Sequence, residues 1–114
     1  MTPREIDELV AEKVMGWKSR PTDRDPSVLV WETGTGWCPL PNFSTTGDGA
    51  LLVIGAMKAK GWELSKLNRD STGTPSEGYI AYFSTKEGRF SGHSHKTIPM
   101  TVSLAALRAF EVEV

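Results

Sequence analysis

Between Thr33 and Gly49 the chain runs Thr-Gly-Thr-Gly-Trp-Cys-Pro-Leu-Pro-Asn-Phe-Ser-Thr-Thr-Gly-Asp-Gly. Glycine, threonine and serine feeding a helix N-terminus can hold a phosphate or carboxylate, because the first backbone N–H groups of a helix are unpaired and carry partial positive charge. Ser44, Thr45 and Thr46 add hydroxyls, Gly47 and Gly49 allow close backbone approach, and Trp37 offers a ring that can stack on a base. The alternative is that the hydroxyls only cap the helix and the indole fills the core. The segment lacks the Gly-Lys-Ser/Thr ending of a phosphate-binding loop, so ATP hydrolysis is not expected.

The two histidines, His93 and His95, form the second constellation. On a strand they share a face, with Cα atoms about 6.5–7 Å apart. That spacing allows two metal ligands or a base with a neighbour, but no third ligand stands at a diagnostic spacing, so neither a metal nor a cofactor is expected. Contacts to a bound phosphate or base suit them better, with Arg69 and Tyr82 as further ligand-binding candidates and Tyr79 and Arg89 nearby in sequence. The single cysteine, Cys38, reads as a buried, inert thiol. Trp17 and Trp62 continue apolar patterns and read as core, whereas Trp31 and Trp37 flank the glycine-rich loop and read as partly exposed.

These residues must be positioned by regular elements. Thr2, Pro3 and Glu5 form a capping-box start, and Ile6, Leu9, Val10, Val14 and Trp17 recur at helical spacing, which predicts a helix over about 3–17 with Gly16 near its end. Residues 19–27 read as a loop, Ser27 to Glu32 as a strand, and Thr33 to Asn42 as irregular. A second helix starts at Ser44, Thr45 or Thr46 and ends at Lys58, Lys60 and Gly61. A strand follows from Trp62 to Leu67, then a loop from Arg69 to Gly78. Tyr79 to Ser84 and Arg89 to Lys96 form a hairpin about Lys86-Glu87-Gly88. Thr101 caps a last helix carrying Leu104, Leu107 and Phe110. The expected fold is α+β, a mostly antiparallel sheet packed by three helices, in one domain over 1–114.

Composition narrows the function classes. The 114 residues are 39% hydrophobic and 24% charged, the balance of a globular chain. Thirteen basic against fourteen acidic residues leave a net charge of -1, so no global field recruits extended nucleic acid or an anionic membrane. The N-terminus lacks the apolar run of a signal peptide, no stretch is long enough to span a bilayer, and a lone cysteine suits a reducing compartment. The cytoplasm is the expected location.

Four segments carry a resemblance: Ala11-Glu12-Lys13-Val14-Met15-Gly16-Trp17, Pro41-Asn42-Phe43-Ser44-Thr45, Gly61-Trp62, and Thr101 leading to Leu104-Ala105-Ala106-Leu107-Arg108-Ala109. In this order and spacing they resemble the phage ABA-sandwich proteins, small accessory proteins of phages and prophages. The resemblance implies a three-layer α/β/α sandwich and a phage or prophage origin, and implies no reaction. The chain departs from the family after the Ser-Thr pair, where Thr46 stands in place of an acidic residue and Asp48 follows two positions on, and in the glycine content of the second helix.

Two function classes follow. The first is a non-enzymatic binder that sequesters a small anionic, nucleotide-type ligand, such as a signalling molecule of host defence bound inside a bacterial host. A homo-oligomer is expected there, since pockets can form between chains. The second is an interaction module that inhibits or redirects a host protein through exposed aromatics and the hairpin edge.

Overall fold

The computed structural model describes residues 2–22, 24, 29–70 and 78–112, with residues 69 and 70 described by their backbone alone. Helix α1, Pro3–Leu9, begins where the capping signal stands: the Glu5 amide donates to the Thr2 hydroxyl at 3.2 Å. The helix then widens into a π-helical turn, Val10–Val14, and stops short of the expected Trp17. Its end is closed by Met15 N donating to the Val10 carbonyl and Trp17 N to the Ala11 carbonyl, both at 2.9 Å. Gly16, at φ +73°, supplies the left-handed residue that this reversal requires.

The strands pair antiparallel, as expected, and divide into two three-stranded sheets. The first holds β1 (Lys18–Pro21), β2 (Leu29–Glu32) and β3 (Trp37–Cys38) in that order. Two expectations are corrected here. Residues 19–21 of the expected loop belong to strand β1, Lys18–Pro21, an edge strand where Pro21 needs no ladder N–H on its open side. Trp37 and Cys38 pair with Glu32 and Trp31, so the stretch from Thr33 to Asn42 is not wholly irregular. Residues 23 and 25–28 of the expected loop and strand lie outside the described residues.

Helix α2, Gly47–Ala59, has Thr46 as its N-cap. At the other end the amides of Gly61 and Trp62 return to the carbonyls of Lys58 and Met57 at 3.1 and 2.9 Å, with Gly61 at φ +88°. This reversal sends the chain into the second sheet, β4 (Glu63–Asp70), β5 (Gly78–Ser84) and β6 (Phe90–His95), in sequence order. The predicted hairpin forms: Thr85 N donates to the Arg89 carbonyl at 3.0 Å, and Gly88 turns at φ +86°. Arg69, Asp70 and Gly78 belong to strands rather than to the expected loop, with Arg69 opposite Tyr79, while 71–77 lie outside the described residues.

Helix α3, Ile98–Ala109, is capped by Thr97, whose hydroxyl accepts from Met100 N, and not by Thr101. Thr101 stands inside the helix, fully buried, and its hydroxyl donates back to the Thr97 carbonyl at 2.6 Å. Every residue from Met100 to Leu107 is buried, as befits a helix touched on several sides. It lies against β5 and β6, and against α1, the π-turn and α2. Ala81 and Phe83 on β5, Val10 and Val14 on the π-turn, and Val53 and Met57 on α2 close around it in one apolar cluster. Small residues at 103, 105 and 106 let these neighbours approach its backbone.

Candidate functional site

The glycine-rich entry to α2 is tied to the rest of the fold through Asp7, a fully buried carboxylate on α1. Asp7 Oδ1 accepts from Ser44 N at 2.8 Å and from the Ser44 hydroxyl at 2.7 Å. Asp7 Oδ2 accepts from Arg4 at 3.1 Å. The Arg4 guanidinium also donates to the Asn42 side chain at 2.8 Å and the Leu40 carbonyl at 3.1 Å. From α3, the Ser103 hydroxyl donates to the buried Phe43 carbonyl at 3.2 Å. Two helices, α1 and α3, thus grip residues 40–44.

Two of the candidate ligand contacts here, Ser44 and Thr46, are consumed by this knot. Ser44 is buried and faces Asp7. The Thr46 hydroxyl accepts from Gly49 N at 3.0 Å and donates to the Asn42 carbonyl at 2.9 Å. A Cβ on Gly49 would collide with the backbone of Asn42 and Phe43, so this glycine serves packing between chain segments. Thr45 and Gly47 remain exposed. Beside them, Asp48 supplies the negative charge that complements the helix N-terminus.

The other candidates do not gather at that helix entry. Trp37 is 49% exposed on the first sheet, with the Arg20 guanidinium 4.7 Å from its ring centre. Trp31, expected to be partly exposed, is buried at 4%, because alternation along β2 turns it to the face opposite Trp37. Cys38 is half-buried rather than fully enclosed.

On the second sheet, His93 and His95 do share a face, the one that carries Ala81 and Phe83 toward α3. Tyr82 lies on the other face, where its ring covers Gly92 and the Lys66 ammonium stands 5.8 Å from its centre. Tyr82 and the two histidines therefore cannot line one pocket of a single chain. His93 Nδ1 is 2.8 Å from the Ser94 carbonyl. Partial burial, then His93 and Lys96, lower the His95 pKa below its ordinary 6.5. Among the described residues no group of three or more His, Cys, Asp or Glu side chains could hold a metal ion. The Arg69 side chain lies outside the described residues.

A different set of residues is brought together at the C-terminal end of α2. There a cleft of about 600 Å³ opens between the end of the helix and the β5–β6 turn. Lys58 and Lys60 come from the last turn of α2, and Lys86 and Arg89 from the hairpin turn. Glu63 and Glu87 share the lining, so four cations stand against two carboxylates. None of the four cations has a carboxylate within 4.0 Å among the described residues. The Arg89 guanidinium lies 5.3 Å from the ring centre of Trp62, which is 5% exposed, and Lys60 lies 6.0 Å from that of Phe110.

The backbone holds both walls firmly. The reversal at Gly61 fixes Lys58 and Lys60, and the Thr85 hydroxyl accepts from Arg89 N at 3.2 Å across the turn. Pairing of Glu63 with Ser84 then sets the turn beside the helix end. A second, smaller cavity of about 330 Å³ beside Trp17 and Gly34 carries one cation, Lys18, and one carboxylate, Glu32.

The family model of the phage ABA sandwich domain matches residues 8–107, a span that holds both sheets, α2 and most of α3. The chain belongs to the phage ABA sandwich domain family. No curated protein matches it significantly, and no solved structure does. The segments that carried the resemblance are, in this ABA sandwich domain, structural devices. Gly16-Trp17 closes the π-turn and sets Trp17 5.8 Å from Phe43, Pro41 to Ser44 is the knot held by Arg4, Asp7 and Ser103, and Gly61-Trp62 reverses the chain after α2. No helix of the domain's described residues is long and apolar enough to cross a membrane.

The basic cleft escaped the sequence reading because its cations come in two pairs, 58/60 and 86/89, far apart along the chain. Each pair has an ordinary local explanation, one as the basic last turn of a helix and the other as a polar hairpin turn. Only the Glu63–Ser84 pairing brings them together.

Proposed function

We propose that this ABA sandwich domain is a non-enzymatic binder of a small anionic, nucleotide-type ligand, and that the ligand sits in the cleft between the end of α2 and the β5–β6 turn. The observation that carries this reading is the convergence of Lys58, Lys60, Lys86 and Arg89, none ion-paired among the described residues, on a cleft of about 600 Å³. That volume falls within the usual range of small-molecule sites. Cations on two fixed walls keep their attraction for an arriving anion where, as among the described residues, no carboxylate competes within contact distance. In a phage protein, binding without turnover suits sequestration of a nucleotide signal used by host defence.

The test is a thermal-shift screen against mono-, di- and cyclic nucleotides. A ligand bound only by the folded chain adds about 2.7 kcal/mol of stability at a hundredfold excess over its dissociation constant. A selective rise in Tm that is lost on charge reversal of Lys58 or Lys86 supports the reading. No rise across the panel sinks it.

A second reading, an interaction module that redirects a host protein, draws on a separate observation. Strand β6 is the edge of its sheet, and Phe90 at its start is 72% exposed. A β-strand of a partner can add to such an edge. Loss of partner capture on Phe90→Lys, with nucleotide binding unchanged, is the result that favours it.

A further inference from the structure

The cleft offers positive charge on two sides and, among the described residues, no free aromatic face in its lining. We infer that its ligand is recognised through a chain of at least two phosphates, with the attached base left unread; this rests on the anion-binding reading above.

Three features point the same way. First, the cations come from two separate walls, Lys58 and Lys60 on the helix end and Lys86 and Arg89 on the turn. A ligand that engages both walls carries negative charge at more than one place along its length. A single phosphate leaves most of a cleft of about 600 Å³ unfilled.

Second, the groups that read a base are missing from the lining. Base recognition uses an aromatic ring to stack on, together with donors and acceptors for the base edge. Trp62, the aromatic residue of the lining among the described residues, is 5% exposed, and Arg89 stands over its ring. Among the described residues no Asn or Gln lines the cleft, the Thr85 hydroxyl is engaged by Arg89 N, and the carboxylates, Glu63 and Glu87, have no free ring in the lining to hold a base flat.

Third, the Arg89 guanidinium is held over the indole with no carboxylate partner among the described residues. A guanidinium fixed in this way keeps a planar fork of N–H donors, the geometry that grips two oxygens of one phosphate. Lysine ammonium groups on the facing wall act as point charges for the next phosphate, without demanding one orientation.

The experiment is calorimetric titration of the full chain with tripolyphosphate, ATP, GTP and AMP, repeated on Lys86→Glu and Lys58→Glu. The expected result is that tripolyphosphate, ATP and GTP bind within about threefold of one another, AMP binds at least about tenfold more weakly, and each reversal weakens tripolyphosphate at least about tenfold. AMP binding as tightly as ATP overturns the need for a phosphate chain, ATP and GTP differing by more than about tenfold overturns base-blind recognition, and either leaves the anionic-ligand reading standing. Tripolyphosphate binding that both reversals leave unchanged overturns the inference by placing the anion elsewhere. No binding by any of the four overturns the inference and the reading together.

Discussion

The two ends of α2 solve opposite problems. At its N-terminal end, polar groups are plentiful and nearly all are satisfied within the chain: Ser44 by Asp7, Thr46 by Gly49 and Asn42, and the Phe43 carbonyl by Ser103. At its C-terminal end, four cations converge and none has an ion partner among the described residues. Hydrogen-bonding residue types alone therefore do not mark a binding surface. What marks one is polar or charged groups that the fold brings together and leaves unsatisfied. The N-terminal end is built for stability and the C-terminal end is left available.

This contrast is broken most severely at Asp7. Asp7→Ala strands the buried Ser44 amide, leaves the Ser44 hydroxyl with the Pro3 carbonyl at 3.1 Å as its acceptor, and releases Arg4 from its carboxylate. The expected loss is about 3 kcal/mol, since one buried donor without an acceptor costs about 1–3 kcal/mol and hydrogen bonds to an ionised carboxylate are worth about 1.5–3 kcal/mol. Urea unfolding measures it. A loss under about 0.5 kcal/mol, the size of an ordinary surface change, would mean that the knot does not hold the helix entry.

Thr46→Ala tests the same end more gently. It removes the N-cap acceptor for Gly49 N and the donor to the Asn42 carbonyl. The expected cost is about 1 kcal/mol, typical of a lost threonine cap. Thr45→Ala, at the exposed neighbour, should change stability by less than about 0.5 kcal/mol. Equal effects at the two positions would erase the distinction between a hydroxyl inside the knot and one outside it.

The outcome at these two threonines bears on how much could be read beforehand. Caps, reversals and the hairpin are local, so Thr2, Thr46, Gly61 and Gly88 announce themselves by residue type. Strand β1 does not, because Pro21 and the aspartates after it read as loop, and only pairing with β2 makes Lys18–Pro21 a strand. Thr101 resembles a cap by type, yet Thr97 takes that role because Ile98 and Pro99 already belong to the helix. Asp7 and Ser44 are 37 positions apart, and nothing local links a carboxylate on the first helix to a serine before the second. The same holds for Lys58 and Lys86. Local chemistry was legible; which groups satisfy each other, and which are left over, depends on tertiary pairing.

At the C-terminal end of α2, substitution should leave the fold intact. Lys58 and Lys86 are exposed and make no ion pair among the described residues. Lys86→Glu is therefore expected to shift stability by less than about 0.5 kcal/mol. If it destabilises the chain as much as Thr46→Ala does, the turn is a structural element and the cleft loses its claim to be a surface kept available.

The smallest effect is expected away from both ends, at His95. Partial burial, His93 and Lys96 each disfavour its charged form, so its pKa in the fold lies below the ordinary 6.5. The unfolded chain then takes up the proton more readily than the folded one. Stability is highest with the ring neutral and falls as pH drops below 6.5 toward the lowered folded value. His95 is largely exposed, so solvent screening keeps the change small. Thermal unfolding between pH 7.5 and 5.5 should show a slight decline in Tm for the native chain and a flatter profile for His95→Gln. Identical slopes in the two proteins would mean that His95 titrates alike in the folded and unfolded chain, leaving that end of β6 electrostatically neutral toward folding.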